Sequence, residues 1–214
     1  MSRFIILLGG DLVRTPYLDA QIAGSRVIAV DSGIRHAAAL RLVPELWLGD
    51  FDSVPKKLEN VYPDVPREVF PTEKDKTDGE LAVETALARG ATHLILAGAF
   101  GGPRADHAFL HLSLAVKLAE SGVSVALTSG AQEGHPLLSG RSSFDYEDGT
   151  IVSVVGFTAL SGLTLDGVKW PLNTIDVPFG SSLTISNEVR GGLRVELKSG
   201  RAVLIAHPFP GSDF

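Results

Sequence analysis

The sequence predicts an α/β fold in which an N-terminal, mostly parallel sheet flanked by helices is followed by a C-terminal all-β sandwich domain. Two observations carry this prediction. Over the first 130 residues, short apolar runs bounded by turn residues alternate with helical patterns, which is typical of parallel strands joined by helices. From about residue 131 the helical period disappears, and short β-like runs separated by Gly and Pro follow. We therefore predict two domains, residues 1–131 and residues 132–214.

The N-terminal domain is expected to contain a helix over about residues 33–42, which stops before Pro44 as a helix should. A second helix starts at Thr77, and Glu80 three residues later completes the pattern of a capping box. A third helix is expected over about residues 106–121. The candidate strands between these helices are Arg3–Leu8, Arg26–Val30, Glu45–Leu48, Glu68–Phe70, His93–Ala97 and Val123–Leu127.

The C-terminal domain begins after a stretch rich in Gly, Ser and other polar residues, Gly130–Ser143, which we interpret as a connector. Short strands punctuated by Gly and Pro then follow, a spacing typical of a small sandwich or barrel. These strands are expected at Thr150–Val155, Thr158–Leu165, Gly167–Trp170, Ser182–Asn187, Leu193–Leu197 and Ala202–Ala206.

Composition excludes several classes of protein. The 19 Lys and Arg against 25 Asp and Glu give a formal charge of −6, which argues against a general nucleic-acid binder. Cysteine is absent, so disulfides, thiolate zinc sites, iron–sulfur clusters and a cysteine nucleophile are excluded. The apolar run Phe4–Leu8 is too short for a signal peptide, and no run reaches the roughly 18 residues of a membrane span. We therefore expect a cytoplasmic protein that does not bind membranes.

Acidic residues follow four of the predicted N-terminal strands. Because the carboxyl ends of parallel strands meet at one edge of a sheet, these turns are expected to converge on one crevice. Carboxylates so close together repel one another unless a cation neutralises them, and Mg²⁺ prefers such oxygen ligands. Each turn taken alone also fits a polar loop or a helix cap, so the prediction rests on all four together. The acidic residues are Asp31, Asp50, Asp52, Asp75, Asp78 and Asp106.

A glycine-rich turn, Gly98–Gly102, and the nearby Arg104 suit a phosphate, because backbone N–H groups and a guanidinium can both approach its oxygens. Carboxylates that could bind Mg²⁺, close to donors that could bind phosphate, favour a nucleoside triphosphate as the ligand. Several familiar enzyme classes lack support, since the chain contains no P-loop, no G-x-G-x-x-G turn, no H-E-x-x-H pair and no G-x-S-x-G elbow.

At this point the motifs resemble those of the thiamine pyrophosphokinase family, and the resemblance covers nearly the whole chain. The matching segments are Gly49-Asp50-Phe51-Asp52-Ser53, Lys74-Asp75-Lys76-Thr77-Asp78, Gly101-Gly102 with Arg104-x-Asp106-His107, Gly162-Leu163-Thr164, Gly167 to Leu172, and Ser186-Asn187-Glu188. The resemblance implies transfer of a diphosphoryl group from ATP to the thiamine hydroxyl with Mg²⁺, giving thiamine diphosphate and AMP. It also implies a homodimer with active sites at the subunit interface.

The resemblance further implies roles for individual residues. The implied Mg²⁺ and phosphate ligands are Asp50, Asp52, Asp75 and Asp78, with Asp75 or Asp78 as the candidate base. Arg104 and Asp106 are expected in the same catalytic site. The nucleotide and phosphate contacts are then completed by Asp31, Ser53, Lys74, Gly101, Gly102 and His107. The implied thiamine-binding wall consists of Trp170, Ser186 and Asn187, and a Trp face suits the cationic thiazolium.

Four positions depart from the family pattern, namely Ser32, Arg35, Pro103 and His111. These departures leave open a second hypothesis, a non-catalytic sensor of thiamine or nucleotide. A third hypothesis is a phosphohydrolase of the haloacid-dehalogenase type, because Asp50-Phe51-Asp52-Ser53 after an apolar strand resembles its nucleophile motif. No later paired-Asp segment suits that enzyme, and it leaves the C-terminal domain unexplained.

Overall fold

The computed structural model describes residues 2–52, 54–71, 73 and 75–208. The chain forms two compact units. The first comprises Met1–Leu114 and Val123–Gly130, and the second comprises Ala115–Gly122 and Ala131–Phe214. Within the described part of the chain, no helix combines the length and the apolar character needed to cross a membrane.

A parallel sheet forms the centre of the first unit, and every pairing between its described strands is parallel. The spatial order is β6-β5-β1-β2-β3-β4. The strands are β1 (Arg3–Leu7), β2 (Arg26–Val30), β3 (Leu46–Gly49), β4 (Arg67–Val69), β5 (His93–Ala97) and β6 (Ser124–Thr128). The chain runs outward from β1 to β4 and then returns to β5 on the other side of β1. The strand order therefore reverses between β1 and β5, which is where open α/β sheets bind ligands.

Helices connect these strands, and their ends follow from local sequence. The capping box at Thr77 is present, because its side chain accepts from the Glu80 N–H while the Glu80 carboxylate accepts from the Thr77 N–H. Thr15 caps the first helix, which has Pro16 at its first position. The helices are α1 (Pro16–Ile22), α2 (Arg35–Leu40), α3 (Lys56–Val61), α4 (Asp78–Ala88) and α5 (Ala105–Glu120), with a 3₁₀ turn at Asp31–Ile34 before α2.

The core of the first unit lies between the sheet and the helices. Trp47 in β3 is fully buried and makes an edge-to-face contact with Phe51, with the ring centroids 4.9 Å apart. Leu18 and Ile22 bury one side of α1 against the same cluster, although the sequence pattern did not predict this helix. The predicted helix over residues 33–42 is shorter than expected, because Arg41 adopts a left-handed conformation that ends α2.

The second unit is an antiparallel β domain. Its spatial strand order is β11-β10-β12-β9-β13-β7, and β8 also pairs with β12. Strand β12 starts against β9 and continues between β8 and β10, so it joins two sets of strands. Apolar side chains from both sets form one buried core. The strands are β7 (Glu133–Leu137), β8 (Gly140–Phe144), β9 (Ile151–Gly156), β10 (Leu160–Val168), β11 (Leu172–Val177), β12 (Asn187–Leu197) and β13 (Ala202–His207).

The structure corrects three predictions in the second unit. The stretch Gly130–Ser143 is not a connector, since it contains β7 and most of β8. The segment Ser182–Asn187 is not a strand; its residues form turns up to Ser186, and β12 begins only at Asn187. Gly167–Trp170 is not a separate strand either, because β10 continues through Gly167 to Val168. In two of these three cases, Gly and polar residues that the sequence pattern assigned to a connector or to a strand end lie inside strands.

Candidate active site

A cavity of about 590 Å³ opens at the carboxyl edge of the parallel sheet. Its walls come from the turns that follow β1, β2, β3, β4 and β5, together with the first turns of α4 and α5. The sequence predicted convergence at this edge, and the turns do meet there. Asp31, Asp50, Asp75, Asp78 and Arg104 all line the cavity.

Three carboxylates form a cluster in this cavity. Asp31, Asp50 and Asp78 each offer one carboxylate oxygen, and these atoms lie within 4.8 Å of one another. All three side chains are partly buried, so water screens their mutual repulsion less than it would at an open surface. Three hard oxygen ligands at this spacing fit a divalent cation of the Mg²⁺ type. We refer to these three residues as the acidic cluster.

The backbone around Gly49 places Asp31 in the cluster. Gly49 has a φ of 151°, and a Cβ at this position would overlap the Asp31 carboxylate. Asp31 itself has a positive φ of 43°, and its carbonyl oxygen accepts a hydrogen bond of 2.9 Å from Trp47 Nε1. Its carboxylate also accepts from the Phe51 N–H at 3.3 Å. The absence of a side chain at Gly49 is therefore what leaves room for the Asp31 carboxylate.

The remaining aspartates of the predicted metal set have different surroundings. Asp52 is exposed, and its N–H donates to Asp50 Oδ1 at 3.1 Å, so this residue helps to orient a member of the acidic cluster. Asp75 is exposed and lines the cavity. Within the described residues, neither side chain joins the acidic cluster. Ser53 and Lys74, also expected at this site, lie outside the described residues.

Two glycine turns also line the cavity. The Gly10 N–H donates to the Gly98 carbonyl at 3.1 Å, and a Cβ at Gly10 would overlap that carbonyl. Gly101 and Gly102 both have positive φ, and the Gly102 N–H donates to the Asp11 carboxylate at 2.8 Å. Gly98 and Gly101 line the cavity. The Gly98 N–H already donates to the Thr128 carbonyl at 2.9 Å, so the Gly101 N–H is the candidate donor to an anion in this turn. Sequence reasoning found the Gly98–Gly102 turn but not its partner after β1.

Arg104 and Asp106 form a bidentate ion pair at the mouth of the cavity, with distances of 3.0 and 2.7 Å. Both side chains are largely exposed. The Arg104 guanidinium lowers the pKa of the Asp106 carboxyl far below its usual range, and Asp106 raises the pKa of Arg104. Since an exposed pair of this kind contributes little to stability, Arg104 can exchange Asp106 for an anionic ligand.

Histidines line the inner end of the same cavity. His111 is buried, and its Nδ1 lies 3.2 Å from the Ala99 carbonyl oxygen, which only an N–H can satisfy. Its ring lies edge-on to His107, with the centroids 6.3 Å apart. Burial lowers the pKa of His111, so this side chain is neutral at neutral pH. The departure at position 111 therefore places an uncharged imidazole in the cavity wall.

The predicted thiamine-binding residues lie in the second unit. Trp170 is 56% exposed, and Lys169 Nζ lies 4.7 Å from its ring centroid. Asn187 is buried, and its side-chain amide binds the Trp170 backbone on both sides: Oδ1 accepts from the Trp170 N–H at 3.1 Å, and Nδ2 donates to the carbonyl oxygen at 2.8 Å. Ser186 is exposed with a φ of 58°, and its N–H donates to Ser153 Oγ. Asn187 thus fixes the backbone that carries the exposed indole.

Comparison with known proteins decides the family. Residues 21–127 match the sequence pattern of the thiamin pyrophosphokinase catalytic domain, and residues 142–204 match that of the thiamin pyrophosphokinase vitamin B1 binding domain. The chain is also 31% identical over 170 residues to the thiamine pyrophosphokinase of Bacillus subtilis strain 168, covering 76% of this chain and 77% of that protein. This chain belongs to the thiamine pyrophosphokinase family.

Solved structures agree with this assignment to the thiamine pyrophosphokinase family. The crystal structure of the Bacillus subtilis thiamine pyrophosphokinase superposes with a TM-score of 0.83 at 26% identity, covering 96% of this chain and 99% of that chain. The enzyme from Geobacillus thermodenitrificans gives a TM-score of 0.79 at 28% identity, covering 99% of each chain. A thiamin pyrophosphokinase from Candida albicans, at 13% identity and a TM-score of 0.75, shares the fold.

These matches confirm four predictions: the resemblance to thiamine pyrophosphokinases, the fold class, the function and the enzyme class. The chain is thus a kinase that acts in thiamine diphosphate biosynthesis. Neither the phosphohydrolase hypothesis nor the sensor hypothesis is favoured by any of the matches.

Proposed function

We propose that the thiamine hydroxyl attacks the β-phosphorus of ATP in this active site, that the bond from this phosphorus to the α,β-bridging oxygen breaks, and that AMP leaves. In this proposal residues 1–131 form the domain that binds ATP and metal, and residues 132–214 form the thiamine-binding domain. The observation that carries it is that the acidic cluster of Asp31, Asp50 and Asp78 shares one cavity with two glycine turns. Carboxylates for a cation beside N–H donors for phosphate suit a metal–nucleotide complex.

Mg²⁺ fits the acidic cluster for two reasons. Three partly buried carboxylates within 4.8 Å of one another favour a positive counter-charge, and their oxygens are the hard ligands that Mg²⁺ prefers. Asp31 joins Asp50 and Asp78 as a proposed ligand, although the family motifs alone did not imply it. Asp52 and Asp75 remain proposed contacts of the metal–phosphate complex. When bound, the cation neutralises phosphate oxygens and stabilises the charge on the departing AMP.

The protein's own groups supply positioning and charge. Phosphoryl-type transfer depends on alignment and charge neutralisation more than on covalent help from the enzyme. Arg104, released from Asp106, binds oxygens of the transferred diphosphoryl group, and the Gly101 N–H donates to a phosphate oxygen. His107 borders this site. The proton of the thiamine hydroxyl passes to a carboxylate of Asp75 or Asp78, both of which line the cavity.

Trp170 is proposed to stack on thiamine, with Ser186 beside it, and Asn187 is proposed to act through Trp170. Both polar ends of the Asn187 amide bind the Trp170 backbone, so Asn187 has little capacity left for a ligand. Its Oδ1 also accepts from the Glu188 N–H at 2.9 Å. The exposed indole offers a flat face suited to stacking and to a cation.

Replacing Asn187 with alanine is expected to raise the KM for thiamine about tenfold while the KM for ATP stays unchanged, because the Trp170 backbone loses two hydrogen bonds. Steady-state kinetics tests this, together with thiamine quenching of tryptophan fluorescence. Trp47 is fully buried, so the quenching reports on Trp170. Asn173→Ala, at an exposed position in β11, is the matched control. An equal rise in both KM values would contradict the proposed role.

A homodimer with interfacial active sites is also proposed, along with a cytoplasmic location where ATP is available. Several large apolar side chains of the second unit are exposed, with Phe179 at 70%, Leu183 at 60% and Ile185 at 45%, and an interface with a second copy would cover apolar surface of this kind. Mixing Asp78→Asn with Trp170→Ala subunits tests the dimer at low thiamine concentration. Restored activity in the mixture supports interfacial sites. A monomeric mass by light scattering, with no restoration, counts against them.

A further inference from the structure

Arg35, the first residue of α2, connects two turns at the carboxyl edge of the sheet. Its Nη2 donates to the carbonyl oxygens of Gly9 at 2.6 Å and Gly10 at 3.0 Å. Its Nη1 donates to Ser32 Oγ at 3.1 Å and to the Ser32 carbonyl oxygen at 3.3 Å. One guanidinium therefore holds the turn after β1 against the turn after β2.

Gly9, Gly10 and Ser32 all line the cavity, whereas the part of its wall formed by described residues does not include Arg35. On its other side, the turn after β1 is bound to the glycine turn after β5. The Gly10 N–H donates to the Gly98 carbonyl, and the Asp11 N–H donates to the Phe100 carbonyl at 3.2 Å. The Gly9–Gly10 turn is thus held from both sides, and Arg35 supplies the contacts on the α2 side.

The charge and shape of Arg35 matter for an anionic ligand. A carbonyl oxygen turned toward the cavity would repel phosphate oxygens, and the Arg35 guanidinium directs two carbonyls toward itself. His36 Nε2 also lies 3.0 Å from the Gly10 carbonyl oxygen. The planar fork of arginine reaches several acceptors at once, which the single ammonium of lysine does not.

We infer that Arg35 is a positioning residue for the nucleotide phosphates, which it serves by fixing the Gly9 and Gly10 carbonyls away from the cavity. This inference rests on the proposed binding of ATP in this cavity. It assigns no contact between Arg35 and substrate. The expected signature is therefore a selective loss of affinity for the nucleotide, with thiamine binding and overall folding preserved.

The test replaces Arg35 with methionine and, separately, with lysine. Arg35→Met is expected to raise the KM for ATP about tenfold, with kcat within about twofold and the KM for thiamine unchanged. Arg35→Lys is expected to lie between the methionine variant and the wild type, because lysine keeps the charge but loses the fork. Arg14→Met is the matched control, since Arg14 also donates to a backbone carbonyl, that of Ala39, away from the cavity.

Binding of a non-hydrolysable ATP analogue, measured by calorimetry with Mg²⁺ and without thiamine, separates this inference from the proposed function. Weaker analogue binding in Arg35→Met, with a melting temperature close to that of Arg14→Met, supports the positioning role. Unchanged analogue binding overturns it even if the wild type is an active kinase. A wild type that binds no analogue overturns the proposed nucleotide site itself, and the inference falls with it. If Arg35→Met fails to fold, analogue binding is compared between Arg35→Lys and the wild type instead. Equal binding by these two proteins overturns the positioning role of the arginine fork.

Discussion

Replacing Asp78 with asparagine is expected to lower kcat at least about a hundredfold at saturating Mg²⁺ and ATP, because the variant removes one charge of a three-carboxylate metal site. Asn keeps the size of the side chain and one oxygen, so the loss reports on charge rather than on packing. Steady-state production of AMP measures the effect. Asp50→Asn is expected to behave alike, because Asp50 belongs to the same acidic cluster.

Asp78→Asn should also change thermal stability, and the sign of the change depends on whether Mg²⁺ is present. Without Mg²⁺, removing one carboxylate relieves repulsion and raises the melting temperature by roughly 2–4 °C for each kcal/mol relieved. With Mg²⁺, the wild type gains stability through ligand binding, and Asp78→Asn gains less. Thermal melts with and without Mg²⁺ therefore separate metal binding from catalysis.

Matched variants show whether the loss of kcat and of Mg²⁺ stabilisation is specific to the acidic cluster or follows from the removal of any carboxylate. Asp64→Asn removes an exposed carboxylate in the loop after α3 and is expected to leave both kcat and the Mg²⁺ effect unchanged. Asp52→Asn and Asp75→Asn are expected to reduce the Mg²⁺ stabilisation less than Asp78→Asn, since neither residue joins the acidic cluster. Equal losses of Mg²⁺ stabilisation in Asp52→Asn, Asp75→Asn and Asp78→Asn would contradict the placement of the metal in the acidic cluster.

Replacing Gly49 with alanine is expected to abolish measurable activity and to lower the free energy of unfolding by roughly 3 kcal/mol. Two effects add. The backbone φ of 151° is unfavourable for a residue with a Cβ, and the new methyl group would occupy the space of the Asp31 carboxylate. Displaced Asp31 leaves the acidic cluster, so activity and Mg²⁺ stabilisation should fall together. Chemical denaturation and the kinase assay measure the two effects.

Gly90→Ala separates backbone strain from steric overlap. Gly90 also has a positive φ, of 85°, but a Cβ there would meet no described atom within 4 Å. This control is expected to lose only about 1–2 kcal/mol of stability and to keep wild-type kcat. If Gly49→Ala behaved like Gly90→Ala, packing of glycine against Asp31 would not be needed to form the metal site.

The approximate location of the active site could be predicted from the sequence, because it depends on topology. Parallel strands bring their carboxyl ends to one edge, so strand direction alone predicts that Asp50 after β3 and Arg104 after β5 share a crevice. The capping box at Thr77 is equally local, since it depends on residues three positions apart. Predictions that need only strand direction or helix spacing are therefore recoverable from one sequence.

Other features depend on long-range packing. Asp31 enters the acidic cluster through a positive φ and through space left by Gly49, neither of which a motif shows. The double hydrogen bond from Asn187 to Trp170 joins residues 17 positions apart, so its positioning role was not visible in the Ser186-Asn187 motif. In the sequence Arg35 is only a departure from the family pattern, because two of its hydrogen-bond partners, Gly9 and Gly10, lie 26 and 25 residues away.

The polar stretch that contains β8 shows a further limit of sequence patterns. Gly140–Phe144 has no buried residue in its burial pattern, so the apolar alternation of a half-buried strand is missing. It is nevertheless a strand, because its backbone pairs in register with residues Leu193–Leu197 of β12. The pairing partner, rather than the strand's own composition, determines this element.

A single incubation of the purified protein with thiamine, ATP and Mg²⁺, followed by chromatographic separation of the products, tests the central claim most directly. Thiamine diphosphate and AMP are expected in equal amounts, with both products lost in Asp50→Asn. ADP or free phosphate formed without thiamine would contradict the account and favour a phosphohydrolase instead. Bound thiamine with no product at all would also contradict it, since the protein would then bind a substrate without transferring the diphosphoryl group.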